Sequence, residues 1–285
     1  MNYKNLNIKD IKKFIFKHDL KRFPYLKEFG KNPYTYVKSR YYMYCSALLI
    51  YVLIKSRITP NMVTIAYGLC GVVGGALLAV PNLYCNIAGM VIFFNKGTLD
   101  WSDGHLARIK YKTTLKGHIL DVYGAHLNSI GFNIGFGFFV INQTGYEFLI
   151  YPIATIAFLY SGMPALLGKN IIIDELRKNK IKNMITDHNI ENLSKKNHPK
   201  YNKTKYPKWI TYFKGFLDDR ARSVDFIILV MIIDISFNYN FSLYFFILVY
   251  MKNLSKFLLL SFNDIRLDWP ESAIIKIKKI NHGKK

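Results

Sequence analysis

Cysteine and acidic side chains are both scarce in this chain. The three cysteines, Cys45, Cys70 and Cys85, sit within or beside apolar runs, and there is no CxxC. An odd count without that spacing argues against a disulfide framework and a thiolate metal site. Small buried hydrophobes are the simpler reading. Asp plus Glu number 18 against 40 Lys plus Arg, a formal net charge of +22 over 285 residues. So basic a chain suits nucleic acid, a membrane surface or a polyanionic substrate. Zinc-finger spacing and RNA-binding signatures are both missing, so nucleic acid is not an expected partner. The N-terminus, MNYKNLNIKDIKKFIFKHDLKRF, is too charged to hold the apolar core of a signal peptide.

Apolar residues make up 51% of the chain. They gather in long runs, and the charge gathers between the runs. Lys-rich segments beside apolar runs read as juxtamembrane and attracted to anionic lipid. Residues 1–40 place Ile8, Ile11, Phe14, Ile15 and Phe16 among lysines, the pattern of an amphipathic surface segment. Residues 41–54, YYMYCSALLIYVLI, fall short of the ~20 residues a span needs and belong at the interface. After SRITPNMVT, where Thr59 or Asn61 can cap a helix, six spans follow: 61–80, 84–109, 114–141, 147–171, 223–238 and 241–263. The first holds Gly68, Gly71, Gly74 and Gly75, a close-packing signal.

The expected architecture is all-α: a polytopic membrane protein with six transmembrane helices preceded by an amphipathic, interfacial N-terminal segment. Residues 1–57 form that basic segment, 58–265 the membrane domain, with a basic loop at 172–222, and 266–285 a basic tail. The connections at 81–84, 142–147 and 238–241 carry no Lys or Arg, whereas the N-terminus, the 108–116 turn, the 169–222 stretch and the tail are basic. The positive-inside rule then puts both termini in the cytoplasm.

One stretch, DWSDGHLARIKYKTTLKGHILDVYGA (100–125), carries chemistry. Acids inside membrane segments are costly and are function candidates by default. Asp100 and Asp103 share a helical face, and Gly117, Asp121 and Ala125 recur every four residues on another. Two antiparallel helices joined across 109–116 would bring three carboxylates together. Clustered carboxylates repel unless a cation or proton neutralises them. Oxygen-only ligands favour a hard cation, Mg²⁺ or Mn²⁺. The residues alone therefore point to metal-assisted phosphoryl chemistry at the cytoplasmic membrane face. A cation path in a transporter stays open as an alternative, although no second copy of the aspartate pattern is present.

The spacing of Asp100, Asp103, Gly104, Ala107, Arg108, Gly117 and Asp121 resembles the signature of the CDP-alcohol phosphatidyltransferase family. RITPNMVT also looks like that family's short segment before the first span, and it contains Asn61. The resemblance implies a membrane transferase of phospholipid or related lipid or glycan synthesis, working as a homodimer. It implies a CDP-linked donor, an alcohol acceptor, membrane lipids as surroundings and CMP as leaving group. Asp100, Asp103 and Asp121 would be metal ligands for Mg²⁺ or Mn²⁺. Asn61, Gly104, Ala107, Arg108 and Gly117 would lie on the nucleotide side, with Arg108 able to meet a phosphate or pair with an aspartate.

The family pattern has a fourth aspartate, a general base and metal ligand, where this chain has Ala125. Alanine can neither accept a proton nor bind a cation. A substitution that disables turnover, a natural homologue that is catalytically silent, and another base such as His118 or His126 all remain open. His126 is ~100° around the helix from Ala125. Lys116, Lys252 and Lys256 are candidates for an acceptor's phosphate or head group. Asp225 and Asp234 are acids of unassigned role, and His188 and His198 are expected to be solvated.

Overall fold

The computed structural model describes residues 6–31, 33–161 and 221–266, and these are helical apart from turns and short links. The first helix, α1 (Ile8–Arg22), starts at a capping box. Asn7 accepts from the Asp10 amide at 2.9 Å, and Asp10 accepts from the Asn7 amide at 3.4 Å. Ile11, Ile15 and Asp19 recur every four residues and are buried, while Lys9, Lys13, Lys17 and Lys21 are exposed. Offset by two residues, the two sets occupy opposite faces. The isoleucines join Met43, Ile50, Val63 and Leu106 in a local core. Two short 3₁₀ turns lead into α2 (Pro33–Leu53), which packs on α1 and on α4 (Leu83–Ile109).

Between them comes α3 (Pro60–Ala79), capped by Thr59 with Pro60 at its first position, where the missing N–H costs nothing. Asn86 clamps the α3–α4 hairpin by donating to the carbonyls of Leu78 at 3.1 Å and Val80 at 2.9 Å. The next helix, α5 (Leu115–Thr144), begins at a Thr114 cap and ends at Gly145, whose φ of 71° suits glycine. Then come α6 (Ile150–Ser161), α7 (Ala221–Phe237) and α8 (Phe241–Arg266).

Helix α3 is the centre, packing against both α4 and α5. It meets α5 through glycine on both sides. A Cβ at Gly131 would land on the carbonyl oxygen of Gly71, and one at Gly135 or Gly75 would land on the facing glycine's carbonyl. One at Gly71 would come 2.5 Å from the Asn128 Cα. Small residues let the two backbones touch, as in close-packed membrane helices. Asn128 adds a buried tie, donating to the Tyr67 carbonyl at 2.8 Å. On the far side of α5, Phe132, Phe136 and Phe139 pack with Ile153, Ile156 and Phe246.

Helix limits follow the six apolar runs within a few residues where described, whereas the stretch at 41–54 belongs to a longer helix, Pro33–Leu53, that begins eight residues earlier. Two helices, Pro60–Ala79 and Leu115–Thr144, are long and apolar enough to cross a membrane among the described residues. That is a coarser result than six spans. Helix α4 carries the motif's charges over its last turns, and the other apolar stretches are shorter. Asp234 has a structural role: its two oxygens accept from the amides of Phe241 at 3.0 Å and Ser242 at 2.6 Å, capping α8. Residues 162–220 and 267–285, with His188 and His198, lie outside the described residues.

Candidate active site between three helix ends

Helices α3 and α5 run parallel and α4 runs back, so the first turns of α3 and α5 meet the last turns of α4. A cavity of about 800 Å³ opens there. That size suits a small-molecule site. Asp100, Asp103, Gly104 and Arg108 from α4 line it, with Asp121 and Ala125 from α5. The three motif carboxylates thus share one cavity, and Ala125 is exposed on its wall. Asp100 and Asp121 lie close enough for each carboxyl to act on the other's charge. Two carboxyl groups this close need a proton or a cation between them.

Asp103 is fixed from α3. The Thr64 hydroxyl lies 2.6 Å from its Oδ2 and 3.2 Å from the Pro60 carbonyl. A hydroxyl has one proton, and the shorter distance gives it to the carboxylate. Lys96, one turn before Asp100, is buried in the same wall and acts on that carboxylate's charge. Tyr42 closes another side. Its ring lies over Gly97, where a Cβ would overlap it. Tyr67 packs against Gly124 in the same way, 2.8 Å from a Cβ placed there.

Arg108 answers a question left open by the spacing. No ion pair joins it to Asp100, Asp103 or Asp121. Its guanidinium lies over Gly104 instead, 3.3 Å from the position of a Cβ there. Its Nη1 reaches the Nδ1 of His105 at 3.4 Å. Nε2 of His105 in turn meets Oδ2 of Asp19 at 2.9 Å, and Asp19 Oδ1 meets Nδ1 of His18 at 2.9 Å.

The remaining candidates sit at varying distance from the cavity. Asn61 and Gly117 are neighbours, since a Cβ at Gly117 would lie 3.2 Å from the Asn61 Oδ1, but neither they nor Ala107 line the cavity. Lys116 is exposed and away from the wall. Lys252 lines a second, smaller cavity with Ser223 and Asn133. That cavity shares Lys96 and Ser129 with the larger one. The side chain of Lys256 lies outside the described residues. His126 is buried and turned away, its Nε2 3.2 Å from the Tyr160 carbonyl on α6. His118 is exposed and outside the cavity wall.

Thr64, Lys96, Asp19 and Arg222 reach the site unannounced by the motif. Thr64 had a readable signal in RITPNMVT, three residues after Asn61. Lys96 had one in its spacing of four from Asp100. Arg222 lines the cavity from α7 and donates to the Thr35 hydroxyl at 3.0 Å. Nearby, Asp225 holds the Lys38 ammonium at 2.6 Å and accepts from the Tyr34 hydroxyl at 2.7 Å.

Fold and site together define a helical protein, with two helices long and apolar enough to cross a membrane among the described residues, whose three carboxylates converge at one end of a glycine-packed helix trio. Residues 57–174 match the family model CDP-alcohol phosphatidyltransferase. The family comprises phosphotransferases that use CDP-alcohol donors. No curated protein and no solved structure matches the chain.

Proposed function

We propose that the chain is an integral-membrane phosphotransferase fold built to move a phosphoalcohol or phosphatidyl group from a CDP-linked donor to an acceptor hydroxyl. One observation carries this reading: Asp100 and Asp103 from α4 and Asp121 from α5 line one cavity beside the Arg108 guanidinium. The spans follow the six apolar runs, with both termini and the aspartate cavity on the cytoplasmic side. The distribution of Lys and Arg supports that orientation.

The donor set is three carboxylates, with no sulfur or imidazole among the candidates, and it fits a hard divalent cation. Asp100, Asp103 and Asp121 would hold Mg²⁺ or Mn²⁺, which when bound neutralises phosphate charge and aligns the displacement. The chain's own groups do the rest. Thr64 fixes the Asp103 carboxylate by its hydroxyl. Arg108, free of any ion pair to the aspartates, offers N–H donors to a donor phosphate. The flat surface at Gly104 leaves room for that guanidinium. In the transfer, the acceptor oxygen forms a bond to the β-phosphorus of the donor. The bond from that phosphorus to the bridging oxygen breaks, and CMP leaves with the electron pair.

The acceptor's proton needs a base, and the motif position for one is Ala125. Of the neighbouring imidazoles, His126 faces the Tyr160 carbonyl, and His118 is exposed outside the cavity lining, near enough for its charge to act on Asp121. The alanine favours a second reading as the chain stands: a slow or silent member that retains donor binding. CMP release by the chain and its Ala125→Asp form, over a panel of CDP-donors and alcohols with Mg²⁺ or Mn²⁺, separates the two. The active-scaffold reading expects a gain of at least ~10²-fold for Ala125→Asp. Donor binding without any gain would leave the silent reading standing, and neither binding nor turnover would sink both.

A further inference from the structure

Three groups meet where α1 docks on α4: His18, Asp19 and His105. Their ligand atoms lie within 4.8 Å of one another, a spacing a metal ion could bridge. Arg108 argues against a metal there. A guanidinium has only donors. With Nη1 at 3.4 Å from Nδ1 of His105, that nitrogen must present its lone pair. The ring proton is then on Nε2, pointing at Asp19 Oδ2 2.9 Å away. A metal would need the Nε2 lone pair, which the proton already occupies.

The same geometry makes a directed chain. Arg108 donates to His105, and His105 donates to Asp19. Asp19 and His105 are 4% and 2% exposed, so little water competes for these bonds. Asp19 also lies outside the segment that matches the family. Its partner is 86 residues away in sequence. An acid buried in the last turns of a lysine-rich helix is costly unless it is paired. Here its pairing fixes the ring against which the guanidinium rests.

We propose that Asp19 is a positioning residue, acting through His105 to hold the Arg108 guanidinium over Gly104 and toward the phosphates of a CDP-linked donor. This rests on the donor reading above. Helix α1 thereby completes a site whose reactive groups all lie in the family-matched segment. The role of Asp19 is geometric: it lines the cavity but acts on Arg108 through the His105 ring.

The test uses the full chain in lipid nanodiscs and CDP itself, with Mg²⁺, as the probe. Asp19→Asn should weaken CDP binding about tenfold, the scale of one charge-assisted hydrogen bond. In an Arg108→Ala background the same change should add less than twofold, because its route to the ligand is gone. Lys13→Ala, on the exposed face of α1, should leave CDP affinity within about twofold. An equal Asp19→Asn effect in both backgrounds, or a Lys13→Ala effect as large, would overturn the proposal. So would zinc bound by the wild-type chain and lost in Asp19→Asn. A second readout separates this idea from the donor reading. Nitrogen-15 NMR of His105 should show the Nε2–H tautomer, and an Nδ1–H tautomer overturns the chain of donors. A protein that shows the expected tautomer and binds no CDP overturns the donor reading instead, and with it the purpose assigned to Asp19.

Discussion

The α3–α5 contact and the α1 dock support the same cavity by opposite means. At the first, glycine removes side chains until backbone meets backbone: Gly71 and Gly75 against Gly131 and Gly135. At the second, Ile11 and Ile15 supply apolar contact and one carboxylate supplies direction. The first is short-ranged, steric and indifferent to pH. The second depends on a charge and on long-distance pairing. The metal-ligand candidates hang from the steric part, and the group that would meet a phosphate is steered by the electrostatic part.

Changes that break the steric part should be the most severe. Gly131→Val places methyl groups where the Gly71 carbonyl sits, and backbone cannot move aside as a side chain would. Overpacking usually costs ~1–3 kcal/mol where side chains can adjust. Here the expected outcome is loss of folded protein, measured as failure to recover a monodisperse peak in detergent. Recovery of Gly131→Val with wild-type melting would show that the crossing is looser than its geometry. As a contrast, Gly30 has no atom within 4 Å of a Cβ, and Gly30→Ala should change stability by less than about 0.5 kcal/mol.

Next in size is the buried pair that joins α2 to α7. Lys38 and Asp225 side chains are 8% and 11% exposed, and removing one strands the other. Lys38→Ala should cost about 3–5 kcal/mol, while Lys38→Met with Asp225→Leu should be near neutral. Thermal unfolding in detergent gives both, and equal losses would mean that the pair contributes through packing alone.

Thr64→Val comes third. It keeps the shape and removes the proton that Asp103 accepts at 2.6 Å. Groups that orient metal ligands typically matter ~10–100-fold in metal affinity. Mn²⁺ titration followed by its paramagnetic signal should show a loss in that range, with the fold intact. An unchanged titration would mean that Asp103 needs no orientation.

The smallest effect is acidic release of α1. Burial alone would raise the Asp19 pKa, but its hydrogen-bonded contacts with His105 and His18 outweigh it and hold the carboxyl below its ordinary value. A depressed acid contributes stability above its unfolded pKa and loses it as pH falls through the folded one. Amide exchange in α1 should therefore be flat from neutral pH to the ordinary aspartate range. It should then rise as the pH drops below that range, and the rise should vanish in Asp19→Asn.

Much of this was legible in the sequence because it is periodic. The apolar run at 61–80 became Pro60–Ala79, and 84–109 became Leu83–Ile109. Aspartates set three and four positions from their motif neighbours share faces by helix geometry alone, and the fold then needs only one antiparallel return to bring them together. What escaped is aperiodic. Asp19 with His105 and Lys38 with Asp225 are pairings across 86 and 187 residues, and nothing local marks them. The second half of the glycine contact, GFNIG at 131–135, was visible, but its partner could be known only once α3 and α5 were seen to run parallel.

The glycine contact also decides where the molecule can breathe. Parting α3 from α5 would separate backbones along several turns at once, and α4 is locked to α3 at Gly89, where a Cβ would lie 2.9 Å from the Gly74 carbonyl. These three helices must therefore move as one body. Helix α1 has two isoleucines and a carboxylate to release. Among the described residues, α1 therefore borders the cavity through side-chain contacts rather than through backbone packing.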